Sequence, residues 1–320
     1  LWNMGRYLKH KVNKEFTEQE LASLAVRGPM NQEELATLRL PERYIITRCH
    51  QVVERATKSL DNYDISEVGF SAYQFLYDVA DWFIEASKTR QDGDFNNARV
   101  LVYVFDTCLR LLHPYMPFVT ETLWHELPLH PSQYPHGKSL MVAKWPLMEG
   151  DSSLPKDHLA LQQFDAFMEI SKAVRNARVE YGVDLTKKVT ATIYIESVEL
   201  MKAIQSEKEA LALLGRMNPN EMTIKLSCPQ DKPQDSVRLV VSEGIMIDIP
   251  MDNLVDVEKE RQRLTKQVKK LEKELLGVEK RMSSSGFLSK ASEKVIEETR
   301  NIVQEKQDHL IKVKERLNEL

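Results

Sequence analysis

Two prolines three residues apart, Pro114 and Pro117, stand between apolar stretches and constrain this chain's fold more than any other feature. Val100 to Leu112 reads as a strongly apolar helix. It must stop before Pro114, because proline offers no amide donor and its ring clashes with the preceding turn. Pro117 suits the first turn of a second helix, where Phe118, Val119, Leu123, Trp124 and Leu127 supply another apolar face. A rigid corner that is apolar on both sides needs further helices around it, so a helical bundle is expected.

The preceding residues supply them. Ile45, Cys49, Val52, Val53, Ala56 and Leu60 recur at helical spacing after Pro41, a good helix start, and Asp61-Asn62 makes the turn. Asp64-Ile65-Ser66-Glu67 has the form of a capping box. Tyr73, Leu76, Tyr77, Ala80, Phe83 and Ile84 are the expected apolar stripe of the helix that follows. Gln91-Asp92-Gly93-Asp94 is a turn. Phe16 to Leu40 carries a helix or two without clear boundaries. Trp82 is open to two readings, ordinary packing and stacking on a nucleic-acid base.

Beyond the bundle the pattern changes. Pro128 to Pro155 is a proline-rich boundary; His125, His130 and His136 fall in and beside it, and the prolines between them scatter any ligand set, so no metal is expected. Leu159 to Tyr181 is a long helix with Phe164, Phe167, Ile170, Val174 and Ala177 on one side. Lys172, Arg175 and Arg178 recur every three residues, as a solvated surface or as a track for phosphates. Val189, Ala191, Ile193 and Ile195 alternate with polar neighbours as in a strand. A helix through Leu200 to Leu214 and short strands near Met222–Leu226, Val237–Val241 and Ile245–Ile249 complete a small α+β module, with Glu243-Gly244 turning the last hairpin.

The final segment is a heptad pattern. Leu254, Val268, Leu275 and Met282 alternate with Val257, Leu264, Leu271 and Val278, broken only at Arg261. After Ser283-Ser284-Ser285-Gly286, a second seam runs through Ile296, Val303, Leu310 and Leu317. Two seams of similar length around a small-residue turn make an antiparallel helical hairpin. The fold class expected is therefore mainly α: a helical bundle over 1–150, an α+β linker module over 151–252 and a coiled-coil arm over 253–320.

Charge is unevenly spread. The chain as a whole carries a formal −4, so attraction for a polyanion must come from local basic faces. Lys259 to Arg281 holds nine basic and four acidic residues, making the first arm the one basic element of an acidic chain. Cys49, Cys108 and Cys228 are scattered, which fits a reducing compartment. No apolar run approaches the roughly 18 residues of a membrane span. The chain opens on Leu1-Trp2-Asn3 without an initiator methionine and is expected to be a fragment of something longer.

Several stretches resemble a known family. Leu111-Leu112-His113-Pro114-Tyr115-Met116-Pro117-Phe118-Val119-Thr120-Glu121-Thr122-Leu123-Trp124 is similar to a motif in the helical anticodon-binding domain of class I aminoacyl-tRNA synthetases for valine, isoleucine and leucine. Leu1 to Tyr7, Tyr73 to Arg90 (with Ala80 where the family more often has cysteine) and Val174 to Val183 resemble further segments of it. The tip Ser285-Gly286-Phe287-Leu288-Ser289-Lys290 on a terminal hairpin resembles the valyl branch. That resemblance implies a tRNA-binding, non-catalytic portion, with tRNA accepting valine as partner, no membrane, a monomer, and a cytoplasmic or organelle-matrix location.

It also implies that ATP with magnesium serves a catalytic core outside these residues. Arg281-Met282-Ser283-Ser284-Ser285 only superficially resembles that core's Lys-Met-Ser-Lys-Ser loop, and no His-Ile-Gly-His-like sequence, P-loop or G-x-G-x-x-G is present. The segment is expected to hold no cofactor and no catalytic residue. The expected phosphate contacts are Arg263, Lys266, Lys269, Lys270 and Lys273 of the arm, then Arg175 and Arg178, then Arg6, Lys9 and Arg90. The competing reading is a helical scaffold that pairs with another chain through its coiled coil; it predicts concentration-dependent dimers and no tRNA preference.

Overall fold

A computed structural model describes residues 1–17, 19–21, 31–127, 139–146, 154–184, 186–227, 229, 233 and 235–254, with 265, 268, 270–276, 278, 303, 307, 310 and 314 of the last segment. The described residues are mostly helical, with one four-stranded mixed sheet. They divide into two compact units. One comprises Leu1–Asn176, Lys188–Pro233 and Val237–Asp248, the other Ala177–Lys187, Gln234–Ser236 and Ile249–Leu320.

In the first unit, α1 (Trp2–Glu15) buries Met4, Leu8 and Val12 at four-residue intervals. α2 (Gln32–Thr37) starts at a capping box in which Asn31 accepts from the Glu34 amide at 2.8 Å and Glu34 accepts from the Asn31 amide at 3.1 Å. α3 (Leu40–Asp61) carries Pro41 in its first turn and buries Ile45, Cys49, Val52, Val53 and Ala56, as the spacing requires. Asp64 caps α4 (Ile65–Tyr77) by accepting from the Glu67 amide at 3.2 Å. A π-helical turn, Asp78–Phe83, then leads into α5 (Ile84–Ser87).

α6 (Phe95–Leu112) begins five residues earlier than the apolar run, because Asp94 caps it by accepting from Asn97 N at 3.0 Å. The proline corner lies where expected. α6 ends at Leu112, and α7 (Pro117–His125) starts with proline in its first turn. Asp106 locks the corner: its Oδ1 accepts from Trp124 Nε1 at 2.9 Å and its Oδ2 from Arg110 Nε at 2.8 Å. α8 (His158–Glu180) lays Phe164 against Tyr44 of α3, with ring centroids 4.2 Å apart, and stacks Phe167 beyond it at 5.0 Å.

Three sequence expectations are corrected. Tyr73 and Tyr77 are about half exposed rather than core, because Val68, Ala72, Phe75, Leu76 and Val79 claim the buried side of the helix and turn the tyrosines outward. Phe118, 88% exposed, faces away from the side of α7 that buries Thr120, Leu123 and Trp124. The helix expected over 200–214 is two, α9 (Val198–Ser206) and α10 (Lys208–Gly215), broken at Glu207, whose φ of −110° and ψ of 24° leave the helical region.

The sheet has the order β2-β1-β4-β3, formed by β1 (Thr192–Ile195), β2 (Thr223–Leu226), β3 (Ser236–Ser242) and β4 (Ile245–Pro250). β1 runs parallel to β2 and antiparallel to β4. Gly244, at φ +75°, turns the hairpin between β3 and β4. A short helix, α11 (Met251–Leu254), follows in the second unit. There the described arm residues include Val268 and Leu310, buried together with Leu271 and Leu275 packed on them, and a Lys314–Glu272 ion pair at 2.7 Å. The expected hairpin turn at 283–286 lies outside the described residues.

One buried histidine gives the fold an expected dependence on pH. His50 is fully buried in α3, with Nδ1 2.6 Å from the Pro155 carbonyl oxygen and Nε2 2.9 Å from the Tyr103 hydroxyl. Nδ1–H therefore donates and Nε2 accepts, the arrangement of a neutral ring. Burial lowers its pKa against the weaker opposing pull of the carbonyl and Glu54. The unfolded chain then binds the proton more readily, so stability is lost as pH falls below about 6.5. The melting temperature of the chain should fall between pH 7 and 5, and His50→Gln should flatten that slope; an equal slope in both would contradict the assignment.

Candidate nucleic-acid interface

The described surface of the first unit offers three features suited to nucleic acid. The first is a cationic stack. The π-helical turn presents the half-buried Trp82, and from α8 Lys172 Nζ lies 5.5 Å and Arg175 Cζ 5.7 Å from the indole centroid. Such contacts hold the cations in place with about 0.5–1 kcal/mol each at exposed sites. Arg175 is fixed further, because its Nε–H donates to the Leu214 carbonyl oxygen of α10 at 2.5 Å. Lys172 and Arg175 are themselves exposed, so their charge is available to a phosphate.

The second feature is aromatic. Phe70, Tyr73 and Tyr77 stand at intervals of three and four along the exposed side of α4, with Tyr63 and Ile65 exposed at its start. The Tyr73 and Tyr77 rings meet edge to face at 5.3 Å and their hydroxyls lie 2.9 Å apart. Tyr115 of the proline corner lies along Gly69, where an added Cβ would sit 3.0 Å from the ring, and its hydroxyl donates to the Ile65 carbonyl. The motif's corner is thereby fastened to α4, with exposed Phe118 three positions on. Exposed aromatic rings of this kind are what unpaired bases stack on.

The third is the exposed face of α1, where Asn3, Arg6, Lys9, His10, Asn13 and Lys14 line an open concavity. Two of its cations have acidic partners: Lys9 pairs with Glu126, and Lys14 lies 3.4 Å from Asp92. Arg6 is exposed.

The sequence-expected phosphate contacts thus have different surroundings. Lys270 and Lys273 are exposed on a helical run, whereas Arg263, Lys266 and Lys269 lie outside the described residues. Arg178 is turned inward, 4% exposed, and donates to the carbonyls of Lys187 at 2.5 Å and Asp184 at 2.9 Å; it braces its own connection instead of presenting a surface charge. Arg90 is buried between Glu42 and Glu207. Phe70, Tyr73, Tyr77 and Phe118 sit at helical spacing like core residues, so only their outward placement marks them.

Among the described residues, no three His, Cys, Asp or Glu side chains converge as metal ligands. His130 and His136 lie outside them. No step through ATP or magnesium is assigned to these residues. The thiols of Cys49 and Cys108 are buried and free, and burial pushes Cys49 up to about 12, so neither is a ready nucleophile. No described helix is long and apolar enough to cross a membrane.

Comparisons with known proteins point to one family. The anticodon-binding domain of tRNA ligases matches residues 42–195, and the valyl tRNA synthetase tRNA binding arm matches residues 256–320. The chloroplastic/mitochondrial valine–tRNA ligase 2 of Arabidopsis thaliana is 35% identical over 99% of this chain and 32% of its own length. The valine–tRNA ligases of Oceanobacillus iheyensis and Thermotoga maritima are each 34% identical, over 88% and 89% of this chain and 31% of their own lengths. The chain spans about a third of the length of these relatives. With an anticodon-binding domain and a synthetase arm following one another in a single chain, and relatives of one kind along its length, the chain belongs to the valyl-tRNA synthetase family.

Proposed function

We propose that this chain is the tRNA-gripping, carboxy-terminal portion of an enzyme that attaches valine to its tRNA at the expense of ATP. The helical bundle within residues 1–150 takes the anticodon stem-loop. The module over 151–252 links it to the arm over 253–320, which leans on the tRNA elbow as an antiparallel coiled coil. The chain acts as a monomer, since each arm of the hairpin already has its partner. It works in the aqueous compartment where tRNA is charged, cytosol or organelle. Lys172 and Arg175, with Arg6, Lys270 and Lys273, supply phosphate contacts, and Arg263, Lys266 and Lys269 are assigned to the same role on the arm. Affinity is therefore mainly electrostatic, and the bases of the anticodon loop are held by stacking.

The observation that carries this reading is the exposed aromatic side of α4 beside the proline corner, within the segment that matches anticodon-binding domains. A cluster of exposed rings along one helix side is a surface on which unpaired bases can stack. The test uses a valine anticodon stem-loop carrying 2-aminopurine at an anticodon position. Quenching on binding is expected. Replacing Tyr73, Tyr77 and Phe118 by alanine should cost about 1–3 kcal/mol for each base unstacked and remove the quenching. Full quenching and affinity in a folded triple variant would contradict the placement of the loop.

A further inference from the structure

One buried polar cluster is not used by the proposed interface, although it lies between the bundle and the helices that hold Arg175. Arg90, just past α5, bonds bidentately to Glu42 in the first turn of α3, with Nε–Oε1 and Nη2–Oε2 both at 3.2 Å. Its Nη1 reaches Glu207 Oε2, at the break between α9 and α10, at 2.9 Å. Asn97 of α6 donates to Glu42 Oε1 at 2.8 Å and to Ser87 Oγ at 3.0 Å. The three charged side chains are 1–3% exposed. Five residues, as far apart in sequence as 42 and 207, join in one hydrogen-bonded cluster around this guanidinium.

Buried ion pairs of this kind add little stability over apolar side chains of the same shape, because desolvation offsets most of the attraction. Burial by itself would lower the pKa of Arg90, but Glu42 and Glu207 outweigh it and raise it. What the cluster does supply is direction. A planar guanidinium holds its acceptors at fixed angles, and losing one strands a carboxylate away from water. Apolar packing lets helices slide by small amounts; this cluster does not. The helical break fits the same role, since it places the Glu207 carboxylate at the guanidinium instead of continuing the helix.

The consequence reaches the surface through one hydrogen bond. α10 begins at the break and, seven residues beyond Glu207, its Leu214 carbonyl accepts from Arg175 Nε. Where α10 sits therefore sets where the Arg175 guanidinium lies over Trp82. We propose that Arg90, Glu42 and Glu207 form an orientation clasp that seats the α9–α10 pair in one position on the bundle and so aims Arg175 for RNA phosphate. Arg90 is on this view a positioning residue, acting through α10, and not an RNA contact. The RNA part of the inference rests on the tRNA-binding reading; the internal part does not.

The test compares Arg90→Met alone with a triple variant, Arg90→Met, Glu42→Leu and Glu207→Leu, in the whole chain. The single variant strands two carboxylates and should lose much of its thermal stability. The triple variant should recover most of it. If the clasp aims Arg175, the triple variant nevertheless loses the slowly exchanging Arg175 Nε–H signal in arginine-labelled NMR spectra. It should also bind valine tRNA at least fivefold more weakly, with a shallower salt dependence. A triple variant that keeps both the Nε–H signal and the affinity would overturn the proposal. So would one no more stable than the single variant, because the cluster would then be an ordinary stability element. Failure of the unaltered chain to bind tRNA would instead count against the proposed function, and the Nε–H signal would still decide the clasp.

Discussion

Replacing Trp124 by alanine is expected to cost about 3–5 kcal/mol of folding stability, the largest single effect at the proline corner. The indole is 4% exposed and fills the angle between α6 and α7, and its Nε1–H is a donor to Asp106. Truncation opens a cavity that two proline-fixed helix ends cannot readily close, and it takes a partner from a carboxylate oxygen. Trp124→Phe retains most of the volume and should lose clearly less. Urea denaturation followed by far-ultraviolet circular dichroism measures both, as a fall in midpoint at nearly constant slope. A loss below about 1 kcal/mol for the alanine variant would mean that the corner relaxes freely and does not organise the bundle.

The second large effect is on binding. Lys172→Glu together with Arg175→Glu should weaken tRNA binding by more than tenfold while leaving the fold intact, because both side chains are exposed on α8. Losing two phosphate contacts should also lower the slope of log affinity against log salt by about 1.4–1.8. Trp82→Leu, which keeps both charges but removes the surface they rest on, should produce a smaller loss and a nearly unchanged slope. Equal losses from the tryptophan and the charge variants would point to a packing defect rather than to phosphate contacts.

How much of this was legible in the sequence depends on whether the governing interaction is local. The corner was legible because Pro114 and Pro117 act on their immediate neighbours, and the helix starts at Pro41 and Asp64 for the same reason. Direction around a helix was less so. Lys172, Arg175 and Arg178 look alike as a series, yet each three-residue step turns the side chain back by about 60°. By Arg178 the series has rotated away from Lys172, and the guanidinium finds backbone carbonyls instead of solvent. Tyr73, Tyr77 and Phe118 fall in the expected apolar faces, because apolar residues at helical spacing have no mark that distinguishes a buried ring from an exposed one.

The least legible part was the Arg90 cluster. A lone arginine after a short helix reads as a surface cation, and nothing near it in the chain announces carboxylates 48 and 117 residues away. The break at Glu207 had no signal either, since glutamate is a good helix former and no proline or glycine stands there. Both are decided by long-range partners.

The most direct test of tRNA binding is a titration of the intact chain with valine tRNA and with a non-cognate tRNA at two salt concentrations. If the surface described here grips valine tRNA, that tRNA binds more tightly than the other, and its affinity falls steeply as salt rises. Equal, weak and salt-insensitive binding of both would contradict it and leave a helical scaffold.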